Sequence, residues 1–331
     1  MGGDIKDNEF YMKILITGIN GSAGSYLGEF LVNTTNHQIF GTVRNHNGLS
    51  NIQNIKDKVS IIYVDLMDFP SLLKTLDKYR PDVIFHIASM ANVRNSFDSP
   101  CVVVNNNVNI TLHILEAVRL LKDKDNYNPI IQLCSTSEVY GNPSKEFIPI
   151  DENCPLLPIN PYASSKLMQD SLGYVYFLNF KLNVIRTRMF SYFNPRRPDL
   201  FATHFARQII DVSNGKKETV EHGNLSSIRT IIDPMEAAEC YWLITCNGKI
   251  GEVYNIGGIE PISVGGVLEA LIKKSGKNIP TKQISGLMRP SDIDRQIPNI
   301  HKFQAATGWT PKKTLSQSIN DFWIDVNNLY R

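Results

Sequence analysis

Residues 14–31 read ILITGINGSAGSYLGEFL. A short β-branched run ends at Thr17, three glycines follow at Gly18, Gly21 and Gly24, and an amphipathic stretch then resumes. Glycine tolerates tight turns and lets a backbone approach a ligand closely, while a helix N-terminus carries partial positive charge. A strand, a T-G-x-x-G-x-x-G turn and a helix in that order predict a cradle for the pyrophosphate of a dinucleotide, held by Gly18, Gly21 and Gly24. A purely structural turn is the competing reading. The flanking strand and the helix that follows favour the cradle.

Working outward, further short apolar runs read as strands: KILIT (13–17), QIFGTV (38–43), VSIIYV (59–64), DVIFHIA (82–88), IIQLCS (130–135), NVIRTR (183–188) and EVYNIG (252–257). They are continuous rather than alternating, so both faces are covered, and segments of helical length separate most of them. The expected fold is therefore α/β, a doubly wound (Rossmann) parallel sheet, with a smaller C-terminal substrate-binding lobe. Residues 1–12 read as a flexible leader and 13–190 as the cofactor-binding domain. Residues 191–331 read mainly as the substrate lobe, with a strand or two returning to the sheet, because Pro, Arg and Asn break up shorter elements there.

The second strand ends TVRNHNG (42–48), where an acidic residue would accept a hydrogen bond from a free ribose 2′-hydroxyl. Arg44 stands there instead, favouring a 2′-phosphate and hence NADP over NAD; an exposed arginine without a ligand role is the alternative. Asp65 and Leu66 end the third strand and are placed to meet the adenine. A helix N-cap at Asp65 or Asp68 explains the same residues equally well.

Two stretches carry chemistry. In Tyr162-Ala-Ser-Ser-Lys166, residues four apart share a helix face, so the Lys166 ammonium can favour the Tyr162 phenolate and make it a usable base. In CSTSEVYG (134–141), Thr136, Ser137 and Glu138 sit where a buried strand ends, either as a solvated loop or as a catalytic rim.

These motifs together resemble the extended short-chain dehydrogenase/reductases that modify nucleotide sugars. Within them STSEVYG (135–141), NSFDSP (95–100), FNPRR (193–197), GNLSSIR (223–229), RPSDID (289–294) and TGWTP (307–311) are similar to GDP-mannose 4,6-dehydratases. The resemblance runs from about Lys13 to the C-terminus. It implies a catalytic set of Thr136, Tyr162 and Lys166, with Glu138 as the added base, and NADP also contacted by Tyr162 and Lys166. It further implies a GDP-sugar substrate contacted by Ser137, Asn194, Arg229 and Arg289, and a homodimer or homotetramer built on paired helices. GDP-4-keto-6-deoxymannose reductases share several of these stretches, and a 4-epimerase keeps the same fold. A non-catalytic nucleotide-binding subunit would be expected to lack the catalytic set. This chain departs from the dehydratase pattern at NPYASSK (160–166), RNHN (44–47) and RTIID (229–233).

Bulk properties narrow the field. With 34 basic and 32 acidic residues spread over 331, the net charge of +2 signals neither nucleic-acid nor membrane-surface binding. Five cysteines without a C-x-x-C pair fit reduced thiols in the cytoplasm, and seven histidines without paired spacing suggest no metal site. No run approaches the roughly 18 apolar residues of a membrane helix, and the polar N-terminus lacks a signal peptide's apolar stretch. His86 reads as a packed core histidine, Tyr241 and Trp242 as helix packing, and Arg196 and Arg197 as either a binding loop or a solvated turn.

Overall fold

The computed structural model describes residues 11–45, 48–288 and 292–330, so most of the expected leader lies outside the described residues. Along the chain come β1 (Lys13–Thr17), α1 (Ser22–Thr34), β2 (Gln38–Val43), β3 (Ser60–Tyr63), α2 (Phe69–Tyr79), β4 (Val83–His86), α3 (Val93–Asp98), α4 (Pro100–Asp125), β5 (Ile130–Thr136), α5 (Pro161–Phe180) and β6 (Asn183–Met189). There follow β7 (Ser191–Tyr192), α6 (Phe201–Ser213), β8 (Val220–His222), β9 (Ile228–Ile232), α7 (Pro234–Asn247), β10 (Val253–Ile256), β11 (Pro261–Ser263), α8 (Val264–Ser275), β12 (Thr281–Gln283), β13 (Arg295–Gln296), α9 (His301–Thr307) and α10 (Leu315–Tyr330).

All seven runs marked as strands join one seven-stranded sheet in the order β10-β6-β5-β4-β1-β2-β3, and every pairing in it is parallel. The Rossmann architecture expected from the sequence is therefore present, with β10 the strand that returns from the C-terminal part. β1 explains the continuous apolar runs. Its Ile14 and Ile16 join Leu27, Leu31 and Ile244 on one face, while Leu15 joins Leu115, Val118 and Ile131 on the other. Each such fully buried side chain contributes roughly 1.5–3 kcal/mol. The strand expected over 82–88 stops at His86 because the Thr17 hydroxyl takes the amides of Ile87 and Ala88, both at 3.1 Å. The backbone there is diverted from the ladder to the sheet's central crossover, where β2 lies on one side of β1 and β4 on the other.

Beyond β6 the short elements make two small sheets, β7, β9, β11 and β13 in one and β8 with β12 in the other. They pack with α6, α8 and α10 around a separate apolar cluster that includes Phe193, Phe205, Leu268 and Phe322.

Helix α5 is fixed by a buried ion group. Asp170, 1% exposed, accepts from Arg186 Nη1 and from Arg188 Nε, each at 2.7 Å, and both arginines stand on the adjacent strand β6. Arg188 also donates to the Tyr140 hydroxyl at 2.9 Å, which donates to Asn255 on β10 at 2.7 Å. The outer surface of α4 and α5 leaves Val102, Met168, Val175 and Leu178 exposed, so packing within the chain does not cover that face. Among the described residues no helix is long and apolar enough to cross a membrane.

Removing one member of a buried ion group leaves its partners charged in low dielectric. Asp170→Ala should lower unfolding free energy by about 3–5 kcal/mol in urea titration; a loss under about 1 kcal/mol would mean the guanidinium groups are solvated rather than held.

Candidate active site

A cleft of about 1020 Å³ runs along the carboxyl ends of β1, β2, β4, β5 and β6. Its floor begins at the glycine turn. α1 begins at Ser22, and its N-cap Gly21 has no side chain to offer the first-turn amides a competing acceptor. A Cβ built on Gly24 would fall 2.5 Å from the Gly18 carbonyl oxygen, so only glycine lets α1 start this close to the turn. Gly18, Gly21 and Gly24, the residues expected to cradle a diphosphate, all line the cleft.

Arg44 is exposed at the end of β2 and lines the same cleft, with no hydrogen bond or ion pair of its side chain among the described residues. Asp65 and Leu66 line it too. Of the two capping candidates, Asp68 takes the role, accepting from the amide of Ser71 at the start of α2. The Asp65 carboxylate accepts from the Met67 amide at 2.9 Å.

At the centre, β5 ends on Thr136, whose hydroxyl accepts the Glu138 amide at 3.3 Å and starts a single tight turn, Ser137–Tyr140. Gly141 closes that turn at φ 63°, and a Cβ there would collide with the Leu157 carbonyl. Sequence therefore forces the chain to reverse beside the start of α5. Asn160, immediately before Pro161, caps that helix: its Oδ1 accepts the Ala163 amide at 2.7 Å. Its Nδ2 donates to Glu138 Oε2 at 2.9 Å. Thr136, Ser137, Glu138, Tyr162 and Lys166 all line the cleft.

Burial pushes the Tyr162 phenol well above its ordinary range; the Arg197 guanidinium opposes this most, Glu138 and Tyr192 add to it, and a hydrogen bond with Thr136 opposes it. Lys166, 2% exposed, has its ammonium pushed down to about 8 by burial, with Cys134 and Asp170 acting the other way. The two residues share a helix face as expected, and Arg197 is the cation that most opposes the rise of the phenol in the free protein.

Arg197 and Arg196 were undecided in the sequence, and the structure places both. Arg196 lies over the Tyr26 ring and donates to Ser25 Oγ at 2.8 Å and to Glu29. Arg197 pairs with Asp199 and donates to the Ala91 carbonyl at 3.1 Å, joining the loop after β7 to the loop after β4. Asn107 of α4 was also missed: it accepts from the Met90 amide at 2.7 Å and donates to Ser165 of α5 at 2.9 Å. A polar residue inside a helix that is otherwise packed was the available signal. His86 is a buried core histidine, kept neutral because burial pushes it down to about 3. Its ring nitrogens meet the hydroxyls of Thr17 at 3.1 Å and Thr111 at 2.8 Å.

The far end of the cleft receives Asn194 and Arg229, both buried. Arg289 lies outside the described residues; its neighbours Met288 and Asp292 line the cleft on either side of the gap. No cluster of His, Cys, Asp or Glu suited to a metal occurs among the described residues.

The chain is similar to known proteins over most of its length. GDP-mannose 4,6 dehydratase 2 of Caenorhabditis elegans is 26% identical, covering 93% of this chain and 87% of its own. A GDP-6-deoxy-D-mannose reductase of Pseudomonas aeruginosa is 26% identical over 81% of this chain and 87% of its own. The crystal structure of UDP-glucuronic acid 4-epimerase from Bacillus cereus, in complex with UDP-glucuronic acid and NAD, superposes with a TM-score of 0.85 at 26% identity, covering 96% and 100% of the two chains. The profile of the family described as GDP-mannose 4,6 dehydratase matches residues 15–322, and the chain belongs to that family.

Proposed function

We propose that the protein is an NADP-dependent GDP-mannose 4,6-dehydratase, a lyase that converts GDP-mannose to GDP-4-keto-6-deoxymannose. The observation that carries this reading is the Glu138 carboxylate, fixed in the same cleft as Tyr162 but on a different element. A dehydratase needs two proton-handling groups, one at carbon 4 and one at carbon 5. An epimerase or a reductase needs only the first.

The residues fit a nicotinamide dinucleotide. Gly18, Gly21 and Gly24 would hold its diphosphate, Asp65 and Leu66 its adenine side and Arg44 a 2′-phosphate, with Tyr162 and Lys166 beside the nicotinamide ribose. When bound, NADP would supply reversible hydride storage between carbon 4 and carbon 6, so no external reductant would be consumed. Tyr162 takes the 4-hydroxyl proton. Thr136 donates to the developing carbon-4 oxygen, an interaction worth roughly 3 kcal/mol in comparable sites. Glu138 removes the carbon-5 proton, made acidic by the 4-keto group, and passes it to the departing 6-oxygen, which leaves as water. Carbon 5 regains a proton when the hydride reaches carbon 6, balancing the one that Tyr162 took from the 4-hydroxyl. Ser137, Asn194, Arg229 and Arg289 would hold the sugar and diphosphate, arginine being suited to bidentate phosphate contacts.

Residues 13–190 then act as the cofactor domain and 191–331 mainly as the substrate lobe. The uncovered face of α4 and α5 suits a cytoplasmic homodimer or homotetramer. The second reading is a GDP-4-keto-6-deoxymannose reductase, favoured by the similar Pseudomonas aeruginosa protein.

Incubation with GDP-mannose should yield a sugar nucleotide lighter by one water without net NADPH use, and Glu138→Gln should cut that yield by a factor of at least about 100. Reduction of GDP-4-keto-6-deoxymannose at the expense of NADPH, with GDP-mannose untouched, would establish the reductase instead. Arg44→Ala should weaken NADP binding about tenfold while leaving NAD binding unchanged; equal losses for both would remove Arg44 from phosphate recognition. Because burial lowers the Lys166 ammonium to about 8, its charge is present below that pH and lost above it. The turnover rate should therefore fall as pH rises through about 8, and Lys166→Arg, whose guanidinium stays charged, should erase that alkaline limb.

A further inference from the structure

The chain reads Asn160-Pro161-Tyr162 at the start of α5, and Asn160 is 7% exposed and hydrogen-bonded at both ends of its amide. One end is the helix cap. The other is the Glu138 carboxylate, 22 residues earlier in the chain. The amide orientation follows from chemistry: a flip would set its oxygen against the carboxylate and its NH2 against the Ala163 N–H, losing both bonds at once.

We propose that Asn160 is a positioning residue for Glu138, coupling the carbon-5 base to the helix that carries Tyr162. This rests on the dehydratase reading of Glu138. The physical case is one of freedom removed. Glu138 sits on one short turn, and its carboxylate would otherwise rotate about its own side-chain torsions. Asn160 Nδ2 takes Oε2 and leaves Oε1 for a substrate proton. Because the same amide is the N-cap, the carboxylate moves with the first turn of α5, and Tyr162 is two residues into that turn. The base for carbon 5, on its own short turn, is thus tied to the start of the helix that carries the base for carbon 4, although the two are 24 positions apart in sequence.

Capping and positioning can be separated. Serine caps helices about as well as asparagine, but its hydroxyl is too short to hold the cap and reach Glu138 together. Asn160→Ser should therefore keep the thermal midpoint within about 2 °C of wild type, whereas Asn160→Ala, which loses the cap as well, should lower it. The reporter is exchange of the carbon-5 proton of preformed GDP-4-keto-6-deoxymannose in D2O, followed by mass. That step needs the base alone and no hydride transfer. Holoenzyme carrying Asn160→Ser should exchange at least about tenfold more slowly than wild type, and Glu138→Gln should fall to the enzyme-free rate. If wild type exchanges and Asn160→Ser matches it, Asn160 is a cap and nothing more. If wild type itself does not exchange carbon 5, the dehydratase reading of Glu138 falls, and the role given to Asn160 falls with it.

Discussion

The site depends on the rotation and depth of helix α5, and those are set by charge. Tyr162, Lys166 and Asp170 recur every four residues along one face, one per turn. Asp170 is clamped by two arginines on β6, and that clamp decides which way the two upper turns point. An apolar contact at Asp170 would bury more cheaply but would tolerate sliding, whereas carboxylate and guanidinium geometry tolerates little. Asn160 fixes the other end of the same helix by capping it. Between cap and clamp, the face that carries Tyr162 and Lys166 cannot turn without breaking a buried hydrogen bond.

Local pattern made the sheet legible, and distance along the chain hid much of the rest. The runs around Ile14, Phe40, Ile62, Phe85, Leu133, Ile185 and Tyr254 announce themselves because both faces of a parallel strand are buried. β7, β11 and β13 carry two or three residues each, too few for any period, and they exist because β9 offers edges to pair with. The residues of the glycine turn and of Tyr162 and Lys166 were readable from spacing within one element. Asp170 was not singled out, because its partners lie 16 and 18 residues away on a strand that reads as plain core. Arg196 and Arg197 follow a proline like any surface turn, and only folding brings Glu29 and Ala91 to them.

The electrostatics of the cleft follow from burial more than from formal charge. The chain is nearly neutral overall, yet Arg44, Arg197 and Arg229 all line one cleft. Arg197 is compensated by Asp199. Arg44 makes no ion pair among the described residues, which is the condition under which a cation can bind an anionic ligand rather than its own chain. Lys166 and Tyr162 are both driven towards their neutral forms by desolvation. A site that resists charge in the free protein gains most from a ligand that supplies the missing counter-charge, since the interaction takes place where water screens least.

That condition bears on which reaction the cleft suits. Chemistry at carbon 4 alone would be served by Tyr162 with Thr136, and a carboxylate placed beside them would be a liability, since Glu138 pushes the phenol further from ionisation. The fold nevertheless holds that carboxylate in place through a closed turn at Gly141 and a dedicated amide on Asn160. A carboxylate that opposes ionisation of Tyr162 and is still fixed with two separate devices is what the proposed dehydratase would need, since its sugar must lose a second proton. The adjacent carbon offers one only after carbon 4 has become a ketone. On the proposed dehydratase reading the pairing would also set the order of events: Tyr162 would act on the alcohol, and Glu138 would have a proton to take only once that step is complete.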